Sequence, residues 1–508
     1  MKKVIVIGGG VAGLATGIYL KLNGYDVEIL EKNPEIGGAC TGWERKGFYI
    51  DGCIHWLTGV ASNDPLNVLW KETHALTDDT KIFQQDELAK YVFSNGKSLT
   101  TYANLEKLEK SLLDFAPEDA KQIKKLIRHI RAFQTVNPPC FKPVELMNLK
   151  DLLSLAKSML FKLPLLLRTS KMSCEELAKR FKNKDLRDTL AHFMAPNYNY
   201  MSMLYMLGHI SAKDGGIPYG GSLAFAQNME KYFIELGGVV TKDTEVTRIL
   251  IDKNKAIGTI LRNGKVLTCD WVVCTTPVEH CLSYLLGDKY KVRKFYKRLK
   301  DQNTYPIYTY TTAVIKCPLT VAEKSLSVNV KLSENICFDQ EYDRISFRNY
   351  SYDQTVKAKD GYCVIQATIH GNDGMYHWWK NVKENGDYKK MKKQVGEKFL
   401  EAAKQTFADV ASELEVIDVV TPCTYERYLN SRHGSFQGFI HTKNGKALMH
   451  NGRIKGLKNF ILGGQWLIRS GGLPPAVMSG RFSAQRICHT DKKTFTVPKQ
   501  KQEKSVSN

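Results

Sequence analysis

A chain of 508 residues, 43% of them hydrophobic and 10% aromatic, is too long for one core and too apolar to stay disordered, so two or three domains are expected. Lys and Arg number 73 against 52 Asp and Glu, a net charge of +21 that suits an anionic surface; without zinc-finger spacing, a ribonucleoprotein signature or a basic zipper, nucleic acid is not the expected partner. Twelve cysteines with no Cys-x-x-Cys and no Cys/His spacing for a metal read as reduced thiols of a cytoplasmic protein that binds no metal.

The start, Met1-Lys2-Lys3 before Val4-Ile5-Val6-Ile7, imitates a secretion signal, but its apolar stretch falls short of the roughly 7–15 residues such a signal needs. Residues 4–7 are expected as a strand of a parallel sheet, apolar throughout because both faces are covered. They run into Gly8-Gly9-Gly10-Val11-Ala12-Gly13, which satisfies G-x-G-x-x-G with Gly8, Gly10 and Gly13. A helix carrying Leu14, Ile18, Leu20 and Leu22 follows, stops at Asn23-Gly24, and gives way to a second strand, residues 26–30, that ends at Glu31.

Each position has a physical task. Gly8 permits the tight turn, Gly10 lets backbone approach a pyrophosphate, and Gly13 lets helix and strand pack closely. The helix start at Val11 and Ala12 offers free N–H groups to phosphate, and Glu31 stands where an acid accepts ribose hydroxyls. Strand, glycines, helix, strand and acid in this order predict a dinucleotide site.

Farther on come Lys32 and then Gly37-Gly38-Ala39, the segment 47–55 with Asp51, Cys53 and His55, and Pro218-Tyr219-Gly220-Gly221 at a helix entry. Next are the strand containing Val246 and the strand 270–277, which ends at Thr275-Thr276-Pro277. Near the C-terminus, residues 459–466 form a strand and glycine turn through Gly463-Gly464, and Gly471-Gly472-Leu473-Pro474-Pro475-Ala476-Val477 opens a helix through Ile487.

Together these motifs resemble the phytoene desaturase, carotenoid isomerase and retinol saturase branch of the FAD-dependent amine oxidase superfamily. The likeness spans the nucleotide-binding parts at both ends and weakens through the middle. It implies FAD as cofactor, contacted by Gly8, Gly10, Val11, Ala12, Gly13, Glu31, Lys32, Gly38, Ala39, Val246, Thr275, Gly464, Gly472, Leu473, Ala476 and Val477. One departure is Ala39, where the family usually has Arg after the two glycines.

The fold class implied is α/β: a Rossmann-like FAD-binding domain of the two-dinucleotide-binding-motif type, residues 1–75, 210–288 and 454–490, with an inserted mixed α+β substrate domain, residues 76–209 and 289–453. Residues 491–508 are expected to be a flexible tail. The resemblance puts His55, Trp56 and Arg432 near the substrate as candidate catalytic residues. Residues 152–168 carry only basic charges, Lys157, Lys162 and Arg168, among leucines, with a kink expected at Pro164; the stretch suits a helix lying in a membrane surface or one packed on the protein's own core. The basic stretch 121–131 extends the same reading. No apolar run approaches the ~18–20 residues of a spanning helix.

The resemblance implies hydride exchange with flavin during desaturation, saturation or isomerisation of a lipophilic polyene or isoprenoid. Only one G-x-G-x-x-G is present, so oxygen, a quinone or a transiently bound nicotinamide remains open as electron partner. A flavin amine oxidase, a non-catalytic lipid carrier like the GDP-dissociation inhibitors, and a reductase of another hydrophobic molecule stay open as alternatives.

Overall fold

The computed structural model describes residues 1–497 apart from Phe161, Ala195, Pro196, Lys324, Ala447 and Arg469. Its first sheet is parallel, with strands in the order Val239–Thr241, Asp26–Leu30, Lys3–Ile7, Trp271–Cys274 and Phe460–Leu462. Chain segments more than 400 residues apart thus lie two strands from each other. The register pairs Val4 with Val27 and Trp271, and Val273 with Ile461. Val4, Ile5 and Val6 are fully buried, as a strand covered on both faces requires.

Two helices pack over one face of this sheet. The first, Val11–Leu22, begins directly at the glycine turn; the second, Leu473–Thr490, is the closing helix. They approach so closely that a Cβ on Gly480 would stand 2.6 Å from that of Ala15. The stripe Ala476, Ser479, Gly480, Ser483 permits this approach, and it lets the C-terminal helix seat beside the N-terminal one. Two buried arginines fix it laterally: Arg481 pairs with Glu72, and Arg486 with Glu145 at 2.7 Å.

A second sheet has seven strands in the order Glu415–Val420, Thr309–Pro318, Tyr362–Gly371, Glu341–Asn349, Ser327–Cys337, Glu87–Val92 and Ser98–Tyr102. Neighbours are antiparallel except at one seam, where Val328 and Val330 pair in parallel with Lys90 and Val92. That seam joins the two segments, 76–209 and 289–453, between which the nucleotide-binding strands intervene. One face of the sheet packs on the helices Asp373–Glu384 and Tyr388–Thr406 through Ile345, Phe347, Ala367, Trp379 and Phe399. Helices Ala120–Phe133 and Tyr200–Ser211 form a separate core beside it with Ile127, Ile130, Met203 and Leu207.

Two local expectations are modified. The kink expected at Pro164 is a break: helices Leu149–Met159 and Leu163–Ser170 are separate, with Pro164 in the first turn of the second, where its missing N–H costs nothing. Phe161, part of the same stretch, lies outside the described residues. The expected flexible tail is docked for its first part, because Phe495 and Val497 pack on the nucleotide-domain core and Thr496 exchanges hydrogen bonds with Asn23 (2.8 and 2.9 Å). Residues 498–508 lie outside the described residues.

Candidate active site

The parallel sheet ends at a cleft bordered by the glycine turn, the end of the second strand and the start of the closing helix. Of the residues expected to hold the dinucleotide, Gly8, Gly10, Val11, Ala12, Glu31, Lys32, Gly38, Ala39, Val246, Thr275, Gly464, Gly472, Leu473 and Ala476 line it. Gly13 and Val477 do not. A Cβ on Gly13 would lie 2.0 Å from the Gly8 carbonyl oxygen, so Gly13 serves the turn beneath the cleft. Val477 is fully buried in the core of the closing helix.

The floor of the cleft is backbone. Helix Val11–Leu22 has Gly10 at its N-cap with no side chain capping it, so its first N–H groups remain for an anionic ligand. Gly10 is extended (φ −74°), and a Cβ there would meet nothing closer than the Gly37 carbonyl oxygen at 3.6 Å; its lack of a side chain keeps the cleft open. Thr275 ties the turn from below, donating from Oγ1 to the carbonyls of Ile7 and Gly8 at 3.0 Å each. Glu31 accepts from Gly9 N–H at 2.7 Å and from the Asn33 backbone and side chain at 2.9 Å each. A carboxylate has about four acceptor positions, so one is left toward the cleft.

Lys32 is committed elsewhere: its ammonium donates to the Arg427 carbonyl and to Asn430 Oδ1, both at 2.7 Å. Burial lowers its pKa, and the contact pins the segment 427–430 over the cleft. That segment, with Tyr428, Leu429 and Asn430, joins Cys53, Ser435, Phe436 and Trp466 in the lining. Cys53 and Trp466 fall in segments the sequence marks, 47–55 and 459–466; the others carry no glycine fingerprint, and sequence reasoning did not assign them to the cofactor site. The signal nearest to hand was Asn430, whose left-handed φ of 53° ends the helix Pro422–Leu429. Burial pushes His280, also in the lining, down to about 4, so it is neutral at pH 7.

Asp51 anchors the two halves. It accepts from the Ser222 backbone N–H (2.6 Å) and hydroxyl (2.7 Å) and from Cys53 N–H (3.0 Å), fixing the start of helix Gly221–Glu235 against the strand Phe48–Asp51. Gln366 of the seven-stranded sheet donates to the Asp51 carbonyl at 2.7 Å.

The three candidate catalytic residues diverge. His55 has open side-chain surface although protein surrounds it deeply enough to hold its pKa well below 6.5. Trp56 packs on the helical core, 6.5 Å from the Tyr205 ring. Arg432 pairs with Glu279 at 2.6 Å and does not line the cleft, although its neighbours Ser431 and Ser435 do. Two clusters invisible to local spacing also form: Asp64 with His209 and Asp214, and Asp373 with His377 and His433. Internal hydrogen bonds engage both, His209 Nδ1 meeting Asp214 at 2.6 Å and His433 meeting Asp373.

The open helix start, the acid at the second strand and the Cβ-free cradle at Gly10 fit a dinucleotide, and the closing helix completes the cleft at Gly472–Ala476. This combination defines an FAD-dependent oxidoreductase. The chain belongs to the family of flavin containing amine oxidoreductases, whose pattern it matches over residues 11–488. It is 22% identical to a lycopene-forming phytoene desaturase of Paracoccus sp., over 95% of this chain and 97% of that protein. Similar likenesses are a 1-hydroxycarotenoid 3,4-desaturase of Flavobacterium sp. (24%; 97% of this chain, 100% of the relative) and an all-trans-retinol 13,14-reductase of Danio rerio (22%; 96% and 86%). Among solved structures, an oxidoreductase from Methanosarcina mazei superposes with a TM-score of 0.59 at 17% identity, covering 94% of this chain and 99% of that one. Cyclohexylamine oxidase of Brevibacterium oxydans gives 0.58 at 12% identity, covering 97% and 100%, and the two share the fold.

Proposed function

We propose that this flavoenzyme exchanges hydride with a lipophilic polyene of isoprenoid type, the two segments 76–209 and 289–453 forming its substrate half. The observation that carries the reading is a run of packed aromatic rings that starts in the cleft lining and continues onto the seven-stranded sheet. Phe436, in the cleft lining, packs on Tyr310 with ring centres 4.9 Å apart, and Tyr310 packs on Tyr425 at 5.0 Å and lies 6.0 Å from His370. Burial raises the pKa of both tyrosines, so they are neutral phenols offering flat, apolar faces. The named relatives that act on carotenoids and retinol support the same choice of substrate.

FAD, when bound, supplies the redox chemistry, and Gly8–Ala12, Glu31, Thr275 and Gly472–Ala476 would hold it. The chain's own contribution is to orient the polyene along these aromatic rings and to exclude water. Purified protein should carry flavin; mixed anaerobically with phytoene, lycopene or retinol, its oxidised form should bleach, or its reduced form reoxidise. No change in flavin absorbance with any polyene overturns the reading.

The same reading includes delivery from a membrane surface. Helix Leu149–Met159 buries no residue at all, and Leu149, Leu153, Leu160 and Leu167 are 72%, 61%, 63% and 53% exposed. Beside them stand Lys150, Lys157 and Arg168, and Lys125, Arg128 and Arg180, none with a carboxylate at ion-pair distance among the described residues. Exposed leucines beside unpaired cations suit an anionic lipid surface. No helix among the described residues is long and apolar enough to cross a membrane. Flotation with phosphatidylserine-containing vesicles should capture the protein, and Leu153→Glu with Leu160→Glu should release it without lowering Tm. Equal flotation of parent and double variant overturns this part.

A further inference from the structure

The wall beyond the aromatic rings is not hydrocarbon-like. On the strand Glu341–Asn349, Ile345, Phe347 and Asn349 point to the helix-covered face, which puts Arg344, Ser346 and Arg348 on the other. Arg348 is half-buried and has no carboxylate at ion-pair distance among the described residues. Asp51 feels its charge, but the Asp51 oxygens are already taken by Ser222 and Cys53. Its guanidinium donates once, from Nη2 to the His55 carbonyl at 2.5 Å, and its Nε is sealed without a partner. A guanidinium has five N–H donors, and a cation left unpaired inside a protein is costly.

Two histidines share this space. His370, on the same side of the sheet, and His55 both have open side-chain surface, yet protein encloses them enough to depress both pKa values, His370 to about 4. His55 lies close enough to Arg348 and His370 for both to lower its pKa, so the three side chains share one neighbourhood. Both rings are neutral at pH 7, which leaves Arg348 as the fixed positive charge there. His55 lies two residues beyond Cys53 in the cleft lining, so the Arg348 contact falls within roughly 10 Å of the cleft edge at ~3.3 Å per residue.

We propose that Arg348 is a specificity-determining residue that receives an anionic end group, a carboxylate, on the lipophilic substrate, with His55 and His370 as hydrogen-bonding neighbours. This rests on the polyene reading above and deepens it. A carboxylate would give the guanidinium its missing counter-charge and, held there, would set which carbon reaches the cleft edge. A cationic amine would meet the wrong sign of charge.

The test titrates flavin-loaded protein with retinoic acid, retinol, lycopene and palmitate, reading the perturbation of flavin absorbance, with flavin content and Tm as folding controls. The parent is expected to bind retinoic acid at least 10-fold more tightly than retinol. Arg348→Met should weaken retinoic acid 10- to 100-fold and retinol less than 3-fold, and Arg348→Lys should recover part of the loss. Equal binding of acid and alcohol by the parent, or equal losses for both in Arg348→Met, overturns the proposal. Palmitate binding that is lost in Arg348→Met, with no polyene bound, keeps the anchor and overturns the polyene reading. If Arg348→Met loses its flavin, Arg348→Lys decides: a loss of affinity for retinoic acid but not for retinol supports the charge anchor, and unchanged affinities or equal losses overturn it. No binding of any probe overturns both.

Discussion

The cofactor cleft and the wall of the seven-stranded sheet border one interior, but the first is built of backbone and the second of side chains. At the cleft, glycines, an uncapped helix start and peptide carbonyls do the work, and tolerances are set by atoms that cannot rotate away. Along the sheet, Tyr310, Arg348 and His370 extend from strands whose backbone groups are already paired, so their identity can change while the ladder stays. The difference teaches that the cleft is specified by backbone shape, whereas the sheet presents side chains that can be exchanged without disturbing its ladder.

The largest effect expected is at the turn. Gly13→Val would force a Cβ to 2.0 Å from the Gly8 carbonyl, so we expect a loss of about 4 kcal/mol or more and little soluble protein. Gly10→Val should instead leave a folded chain that does not retain flavin, because only the cleft is filled. Thermal melting and flavin content per chain read the two outcomes; a yellow Gly10→Val protein would contradict the phosphate-cradle assignment.

Glu31→Gln keeps the shape and removes the charge that would meet the ribose. FAD affinity should fall about 10- to 100-fold, or roughly 1.4–2.7 kcal/mol, by fluorescence titration. An unchanged affinity would show that Glu31 serves only Gly9 and Asn33.

Away from the cleft, Asp64 sits beside Asp214 near Tyr205, and burial followed by the Asp214 charge raises it from 3.8 to about 6. The folded state therefore holds the proton more tightly than the unfolded chain, and this contribution to stability is lost as pH rises from about 4 through 6. Asp64→Asn keeps the oxygen that caps Leu66 and should gain about 2 kcal/mol at pH 8 while gaining nothing at pH 4. Denaturant titrations at both pH values check the sign; a gain of the same size at pH 4 would remove the charge from the explanation.

The smallest effect belongs to the wall itself. The Thr312 and Thr368 hydroxyls bond each other at 2.9 Å across paired strands. Replacing both by Val removes donor and acceptor together and should change stability by less than about 1 kcal/mol. A larger loss would mean that this wall is as unforgiving as the cleft.

The cleft was largely legible because its residues are local and chemically peculiar: Gly8 to Gly13, Glu31 and the Gly471–Val477 segment each announce a turn, an acceptor or a helix start. Its roof was not legible. Asn430 looks ordinary in sequence and is tied over the cleft by Lys32, while Cys53 is held by Asp51 from the far side. Arg432 was misplaced for a similar reason, since its charge is absorbed by Glu279, a partner 153 residues away.

Sequence alone determined that this chain begins and ends in one dinucleotide-binding sheet, because backbone without Cβ atoms at fixed spacing has few other uses. Tertiary structure decided what stands opposite that sheet. The parallel seam between Val328–Val330 and Lys90–Val92 brings strands of the two inserted segments into one sheet. Only strand alternation then turns Arg348 toward the same interior as His55 and His370, and neither the seam nor the orientation has a local signature to read.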